Sequence, residues 1–315
     1  MRNYWRVVCF MMLLTDFGSA RADMGMITPG VDVTIKEPGQ NAIIGFDGYE
    51  EILILGTDLE ASENTKAVRF IPLPSKPEVS LGSSEAFKNL EVIFKKHSLR
   101  YTMKSKMIGA SPSYDVEVVF HAQLGAHDVT VVRVNNARDF GDWINDLFRR
   151  RGLKERQLSE REREIVEDYI YRSFNYFVFD LVDVGPEVRS IRPLIYRFPT
   201  RKFYYPLKAS NVFEGRGTIQ LFVFGETYQV HESIKRNYYI GGRRQEWFLL
   251  WPYVSEYAVV SGEEMRTIAP ELETLLGAHA LLRAYKYEGE MEFKGDLWLK
   301  PDSIPPVQTI RPLSE

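Results

Sequence analysis

Apolar residues at Phe140, Trp143, Ile144, Leu147 and Phe148 fall at i, i+3, i+4, i+7 and i+8, the spacing that lines one face of an α-helix. Asn136 stands where an N-cap would, and Arg149, Arg150 and Arg151 sit at the negative end of the dipole before Gly152. A second helix is predicted from Ser159, which makes a capping-box pattern with Glu162. Its inner face would be Ile165, Val166, Tyr169, Ile170 and Phe174. The link at 154–157 is short and polar, so the pair should fold back on itself. An earlier helix, from about Ser84, repeats Phe87, Leu90 and Phe94 on one face.

Elsewhere the pattern is that of strands. Residues 42–46 and 49–55 flank Asp47-Gly48, which predicts a hairpin closed by a type I′ turn. A third strand covers 66–73 and meets Pro72, Pro74 and Pro77. Strands follow at 116–120 and 128–134, the latter rich in β-branched residues. After Asn175 the chain reads mostly as strand, at 176–182, 193–198, 203–209, 218–224, 246–250, 256–260 and 280–287. Ser261 with Glu264, and Pro270 with Gly277 as a stop, mark two short helices. The expected class is α+β, with mainly antiparallel sheets in two halves and a central helical pair. The corresponding spans are 23–135 for the N-terminal half, 136–174 for the helical pair and 175–302 for the β-rich half. Residues 303–315, with Pro305-Pro306, read as an extended tail. Leu124-Gly125-Ala126-His127 recurs as Leu276-Gly277-Ala278-His279, but four residues carry no argument for duplication.

The first 22 residues add a destination. Arg2 and Arg6 precede the apolar run from Val7 to Leu14, and Ala20-Arg21-Ala22 is a small-x-small site ahead of Asp23. That order predicts a secretory signal peptide, hence a secreted, periplasmic or cell-envelope protein. The run is well short of the roughly 20 residues that span a bilayer, and no later segment reaches that length, so no transmembrane segment is expected in the mature chain. Cleavage after Ala22 removes three of the 40 basic and one of the 43 acidic residues, leaving 37 against 42, a net −5. A mildly acidic chain has no general attraction for nucleic acid. The single cysteine, Cys9, leaves with the signal, so the mature chain has no disulfide, thiol nucleophile or cysteine-held metal. Stability must come from burial, which 44% hydrophobic residues can supply.

Candidate chemistry is sparse. No nucleophile elbow, zinc-protease helix, phosphate-binding loop, calcium loop or dinucleotide fingerprint occurs. His121 and His127 lie in neighbouring segments with Asp128 adjacent, which raises a metal or acid–base pair, yet His127 and Asp128 point to opposite faces of one strand. Asp180 and Asp183 lie in an apolar strand where burial would raise their pKa values, as a general acid needs; the competing expectation pairs them with water or an arginine such as Arg189 or Arg192. Tyr204, Trp247, Trp251 and Tyr253 belong to an aromatic-rich C-terminal half that would serve a ligand if exposed, or the core if alternation turns them inward. Arg243-Arg244 beside Trp247 reads as a solvated loop pair.

Several phrases have a familiar form. Glu37-Pro38-Gly39-Gln40-Asn41-Ala42-Ile43-Ile44, Thr57-Asp58-Leu59-Glu60-Ala61 and Phe70-Ile71-Pro72-Leu73-Pro74-Ser75-Lys76-Pro77-Glu78-Val79 resemble the secreted prokaryotic family known as domain of unknown function twenty-three-thirty. Phe177-Val178-Phe179-Asp180, Tyr204-Tyr205-Pro206-Leu207, Tyr287-Glu288-Gly289 and Asp296-Leu297-Trp298 extend the likeness over most of the mature chain. The resemblance implies export and one continuous fold, and brings no assigned activity. Many members of that family carry a cysteine pair near the mature N-terminus. Here Asp23-Met24-Gly25-Met26 stands in that region, so no role of those thiols carries over.

The expected function is therefore a non-catalytic binding or interaction protein of the cell envelope, without a cofactor, meeting an envelope component or protein partner. The alternatives are an extracellular carboxylate-dependent hydrolase using Asp128, Asp180 or Asp183, and a divalent-metal-binding protein using His121 and His127.

Overall fold

The computed structural model describes residues 25–29, 33, 35–97, 120–124, 126–212, 216–225, 238–240, 243–245, 248–249 and 257–299. The predicted export segment, the C-terminal tail and residues 116–119 lie outside that set. In chain order the first elements are β1 (Gly25–Ile27), β2 (Ile35–Phe46), β3 (Glu50–Ala61), β4 (Thr65–Leu73), β5 (Glu78–Leu81), α1 (Ala86–Lys96), β6 (Phe120–Leu124) and β7 (His127–Arg133). The helical pair α2 (Ala137–Arg150) and α3 (Glu160–Tyr171) follows, then β8 (Tyr176–Val184), β9 (Arg189–Pro199), β10 (Phe203–Tyr205) and a 3-10 turn at Leu207–Val212. The chain continues through β11 (Arg216–Phe224), β12 (Tyr238–Ile240), β13 (Arg243–Gln245), β14 (Phe248–Leu249), β15 (Ala258–Ser261), α4 (Gly262–Ile268), α5 (Pro270–Leu276), β16 (His279–Glu290) and β17 (Leu297–Leu299).

Two sheets form the body. The larger runs β14-β16-β11-β2-β3-β9-β5, with β15 also on β16; the smaller runs β1-β4-β8-β7-β6. All of these pairings are antiparallel except β2 with β11, so the α+β class holds with one parallel neighbour in a mixed sheet. The sheets share an inner core of Leu53, Leu55, Ile71, Val129, Val131 and Val178. Because successive strand residues face opposite ways, each sheet has a second apolar face, and helices cover both. On the small sheet, the Phe140 ring of α2 lies 5.1–5.3 Å from those of Phe70, Phe177 and Phe179, and Trp143 stacks on Phe179 at 4.1 Å. On the large sheet, Ile43, Ile52, Ile54 and Phe222 pack with Phe87, Leu90 and Phe94 of α1 and with Met265 and Leu272 of α4 and α5. The layers are thus helix, sheet, sheet, helix.

Several expectations shift in detail. The β2–β3 hairpin forms, but Phe46 pairs with Glu51, which centres the turn on Gly48-Tyr49. Gly48 alone has a positive φ, +93°, as a II′ turn requires, while Asp47 Oδ1 accepts from the amides of Tyr49 and Glu50. Helix α3 ends at Tyr171, so Phe174 joins the core from beyond the helix, after Ser173 at φ 66°. The strand expected at 203–209 stops at Tyr205, because the amides of Lys208 and Ala209 donate to Asp296 Oδ1 and the Tyr169 hydroxyl instead of to a ladder. Both sheets draw strands from both halves of the chain: β2 lies beside β11, and β4 beside β8.

Candidate functional site

The sequence-predicted carboxylates do not converge. Asp180 faces the inter-sheet core, directly across from Arg69 on β4 and Val129 on β7. Arg69 donates to Asp180 Oδ2 through Nε at 3.0 Å and also through Nη2. His127 lies diagonally across on the same face, its Nδ1 2.8 Å from the same carboxylate oxygen. Its Nε2 is 2.7 Å from the Arg192 carbonyl oxygen on β9, so the histidine ties the two sheets together. Burial would push the Asp180 carboxyl up, but the Arg69 guanidinium and His127 outweigh it and hold the group below its ordinary value. The raised acid expected from the apolar strand is therefore not found. Exposures of 3%, 0% and 2% for Arg69, His127 and Asp180 leave none of the three a surface to offer a substrate.

Asp183, three residues on, points the other way and carries an exposed bond to Lys66 Nζ at 2.6 Å. Asp128 faces the helical layer, where Arg151 pairs with it. His127 and Asp128 thus diverge as strand alternation requires. The backbone of His121 pairs with Thr130 on β7. Among the described residues, no three His, Cys, Asp or Glu side chains gather as a metal ion would need. Tyr204 is fully buried, donating its hydroxyl to the Pro72 carbonyl at 2.7 Å. Trp247, Trp251 and Tyr253 lie outside the described residues.

A second buried polar knot, around Asp296, is structural. Its carboxylate accepts from Tyr169 OH at 2.7 Å, from the Lys208 amide and from Arg172 at 2.9 Å, joining α3, the 3-10 turn and the approach to β17. Burial outweighs these partners and raises its pKa.

Among the described residues, an accessible concavity lies on the outer face of the large sheet, a cleft of about 440 Å³. There the apolar floor under the helices gives way to polar residues. Beyond Ile43 on β2 comes Asn41, and beyond Ile54 on β3 come Gly56 and Asp58. A bulge in β9 shapes one wall: Leu194 pairs with Leu55 and Ile191 with Thr57, so Arg192 and Pro193 oppose Gly56 alone. The first turns of α1 overhang the other side with Glu85, Phe87, Lys88 and Glu91. Gly56 is what allows that overhang, since a Cβ there would come within 2.4 Å of the Phe87 ring. Ser190 donates its hydroxyl to Asp58. Lys88 Nζ rests on Glu85 Oε2 at 2.7 Å, and Lys95 Nζ on Glu91 Oε1 at 2.7 Å. The Arg192 guanidinium and Pro193 carbonyl bond Gly82 at 2.7 and 2.8 Å, fastening the bulge to the loop before α1.

This site was missed from sequence because its residues are single polar positions in otherwise apolar strands. Asn41 and Asp58 were visible only as interruptions, and only strand pairing shows that they share a face with Ser190.

A family model described as "Uncharacterized protein conserved in bacteria (DUF2330)" matches residues 19–251. The chain belongs to this family. The match spans the cleft residues on β2, β3, α1 and β9 as well as the Arg69–His127–Asp180 cluster. No curated protein matches. Among solved structures, baculovirus P35 aligns at TM-score 0.39 and 7% identity, covering 88% of this chain and 99% of that one. A mutated baculovirus P35 after caspase cleavage aligns at 0.34 and 7%, covering 83% and 99%. Among the described residues, no helix is long and apolar enough to cross a membrane.

Proposed function

We propose that this DUF2330 member is an exported, non-catalytic binding protein of the cell envelope, with the cleft between α1, β3 and β9 as its ligand site. The export part rests on the basic–apolar–small order of residues 1–22. The binding part rests on one observation. The buried acid–base constellation of His127 with Asp180 is sealed between two sheets, with both ring nitrogens and Asp180 Oδ2 engaged in structural contacts, while the cleft is open and lined by polar, charged and aromatic groups. Pockets of about 300–1,000 Å³ are the usual size for small-molecule sites, and the cleft falls within that range.

The test is production in an exporting bacterial host, followed by fractionation, mass determination and a melting-temperature panel of glycans, small organic ions, divalent metals and envelope fragments. Cleavage before Asp23 and recovery outside the cytoplasm are the expected export results. A ligand binding only the folded state at 100 times its Kd stabilises by about 2.7 kcal/mol, a readable shift. Retention of an unprocessed chain in the cytoplasm would overturn the export part. A flat panel, or a hydrolytic activity lost in Asp128, Asp180 or Asp183 variants, would overturn the binding part.

A further inference from the structure

The hairpin end of the large sheet carries a second surface, independent of the cleft. Tyr49, at the β2–β3 turn, is 63% exposed, and the Arg201 guanidinium lies over its ring, 4.2 Å from the centroid. The next residue, Lys202, sets its ammonium 4.7 Å from the ring centroid of the partly buried Trp298 on β17. Three bonds hold these loops together. The Thr200 amide donates to the Tyr49 carbonyl at 2.9 Å, the Lys202 amide to the Thr200 hydroxyl at 3.1 Å, and Ser75 Oγ to the Pro199 carbonyl at 2.6 Å. The last of these brings exposed Lys76 alongside.

Charge is left unmatched at this end. Exposed cations on the helices rest on carboxylates, as Lys88 does on Glu85, Arg150 on Asp146 and Arg266 on Glu273. Among the described residues, Lys76, Arg201 and Lys202 reach no carboxylate. Of the acids nearby, Glu50 is held by Arg197 at 2.6 and 2.8 Å, Glu78 also acts on Arg197, and Asp47 turns Oδ1 onto the amides of Tyr49 and Glu50. A guanidinium stacked on a ring keeps its N–H edges for a phosphate. Tyr and Trp beside cations suit the headgroup level of a bilayer, where a ring can be half apolar and half wet. The surface is a turn and two loops rather than a cleft, a shape for a flat partner.

We propose that this end docks on an anionic phospholipid surface, with Lys76, Arg201 and Lys202 on headgroup phosphates and Tyr49 at the interface. Strand β3 rises about 3.3 Å per residue, so Gly56 and Asp58 stand roughly 20–26 Å along it from Glu50, and docking leaves the cleft clear of the bilayer. The association is weak and reversible, because each cation is worth only about a five-fold change in partition at an anionic surface.

Sedimentation of the purified protein with vesicles of phosphatidylcholine, and of phosphatidylcholine mixed equally with phosphatidylglycerol, tests this. The protein should bind the mixed vesicles alone, and less as salt shortens the Debye length. Lys76→Ala, Arg201→Ala and Lys202→Ala should each cut partition by about five-fold with the melting temperature unchanged. Lys154→Ala, equally exposed but on the link between α2 and α3, should change nothing. Equal binding to phosphatidylcholine alone would overturn the recognition of charge, and a comparable loss with Lys154→Ala would overturn its placement. Binding to neither vesicle would overturn the proposal, and retention on heparin without vesicle binding would give the surface to a soluble polyanion instead. None of these outcomes bears on the cleft, which its own ligand panel decides.

Discussion

Asp180 is a carboxylate with 2% of its surface exposed, and it survives there because Arg69 and His127 share its Oδ2. Such a cluster is weak grounds for stability, since burying the charges costs about as much as their attraction returns, but breaking it exposes that cost. Arg69→Met should destabilise the protein by about 3–5 kcal/mol in urea unfolding, because it leaves a buried carboxylate without its cation. The triple change Arg69→Met, His127→Leu, Asp180→Leu should recover most of the loss; if it unfolds as readily as the single variant, charge burial is not the cause. The pH dependence follows in sign. A carboxyl held below its ordinary 3.8 contributes stability in full above that value and loses it as pH falls through the lower folded-state value. Glu51 runs the other way. Burial drives its pKa well above 4.5, with the Tyr204 amide, 2.8 Å from Oε2, opposing only in part. Its contribution is full below pH 4.5 and is lost as pH rises toward the folded-state value. Glu51→Gln should therefore gain melting temperature relative to wild type between pH 5 and pH 8 in thermal scans, and equal shifts at both pH values would refute this. At this scale the sequence is half legible. Asp180 and His127 stand out as polar residues in apolar strands, and so does Arg69 in Ala67-Val68-Arg69-Phe70-Ile71. Nothing local shows that they are one another's partners, which depends on the β4–β8–β7 register.

Elements whose ends are written in adjacent residues are the ones read correctly. Both capping boxes, Ser159 with Glu162 and Ser261 with Glu264, form as their spacing requires, and Asn136 caps α2 by accepting from the Asp139 amide. Phe87, Leu90 and Phe94 form the buried stripe of α1. The misread ends are those decided at a distance. Asp296 and Tyr169 take the amides that would have continued β10, and the β9 bulge depends on how Pro193, with no amide hydrogen, meets Gly56. The cleft escapes sequence reading for the same reason, being assembled from β2, β3, α1 and β9. One junction yields an element-level prediction. Glu264 caps α4 and also accepts from Lys96 at 2.7 Å and faces His97 Nε2 at 3.0 Å at the end of α1. Burial opposes its ionisation, but Lys96, the Ser261 amide and His97 prevail and bring its pKa down to about 2. Its stabilisation is thus present above pH 4.5 and lost as pH falls toward about 2. Glu264→Gln keeps a capping side chain but loses the charge. It should cost about 0.5–1 kcal/mol at pH 7, less in high salt, and nothing near pH 2. A cost unchanged by pH would assign the effect to packing.

For the whole molecule, the decisive feature is how the two halves of the chain interleave. In the large sheet, β2 and β3 from the N-terminal half lie between β11 and β9 from the C-terminal half. In the small sheet, β8 is inserted between β4 and β7, both earlier in the chain. A cut after Asn175, where the helical pair ends, therefore severs β4 from β8, β3 from β9 and β2 from β11. It strands the inner faces of both sheets, including Leu53, Leu55, Val178 and Tyr196, in water. With Cys9 its single cysteine, the chain has no internal disulfide to hold the pieces. Fragments 23–175 and 176–315 should each lack cooperative thermal unfolding by circular dichroism, whereas the intact chain should melt in one transition with far-ultraviolet and aromatic signals coincident. Mixed in equal amounts, the fragments should regain a cooperative melt, because the lost pairings are between them rather than within either. A fragment that melts cooperatively alone would show that one half carries its own core. The inter-sheet tie of His127 to the Arg192 carbonyl predicts the contrary, since it joins β7 of one fragment to β9 of the other. The same bulge of β9 walls the cleft, so any ligand held there should protect the intact chain and neither fragment.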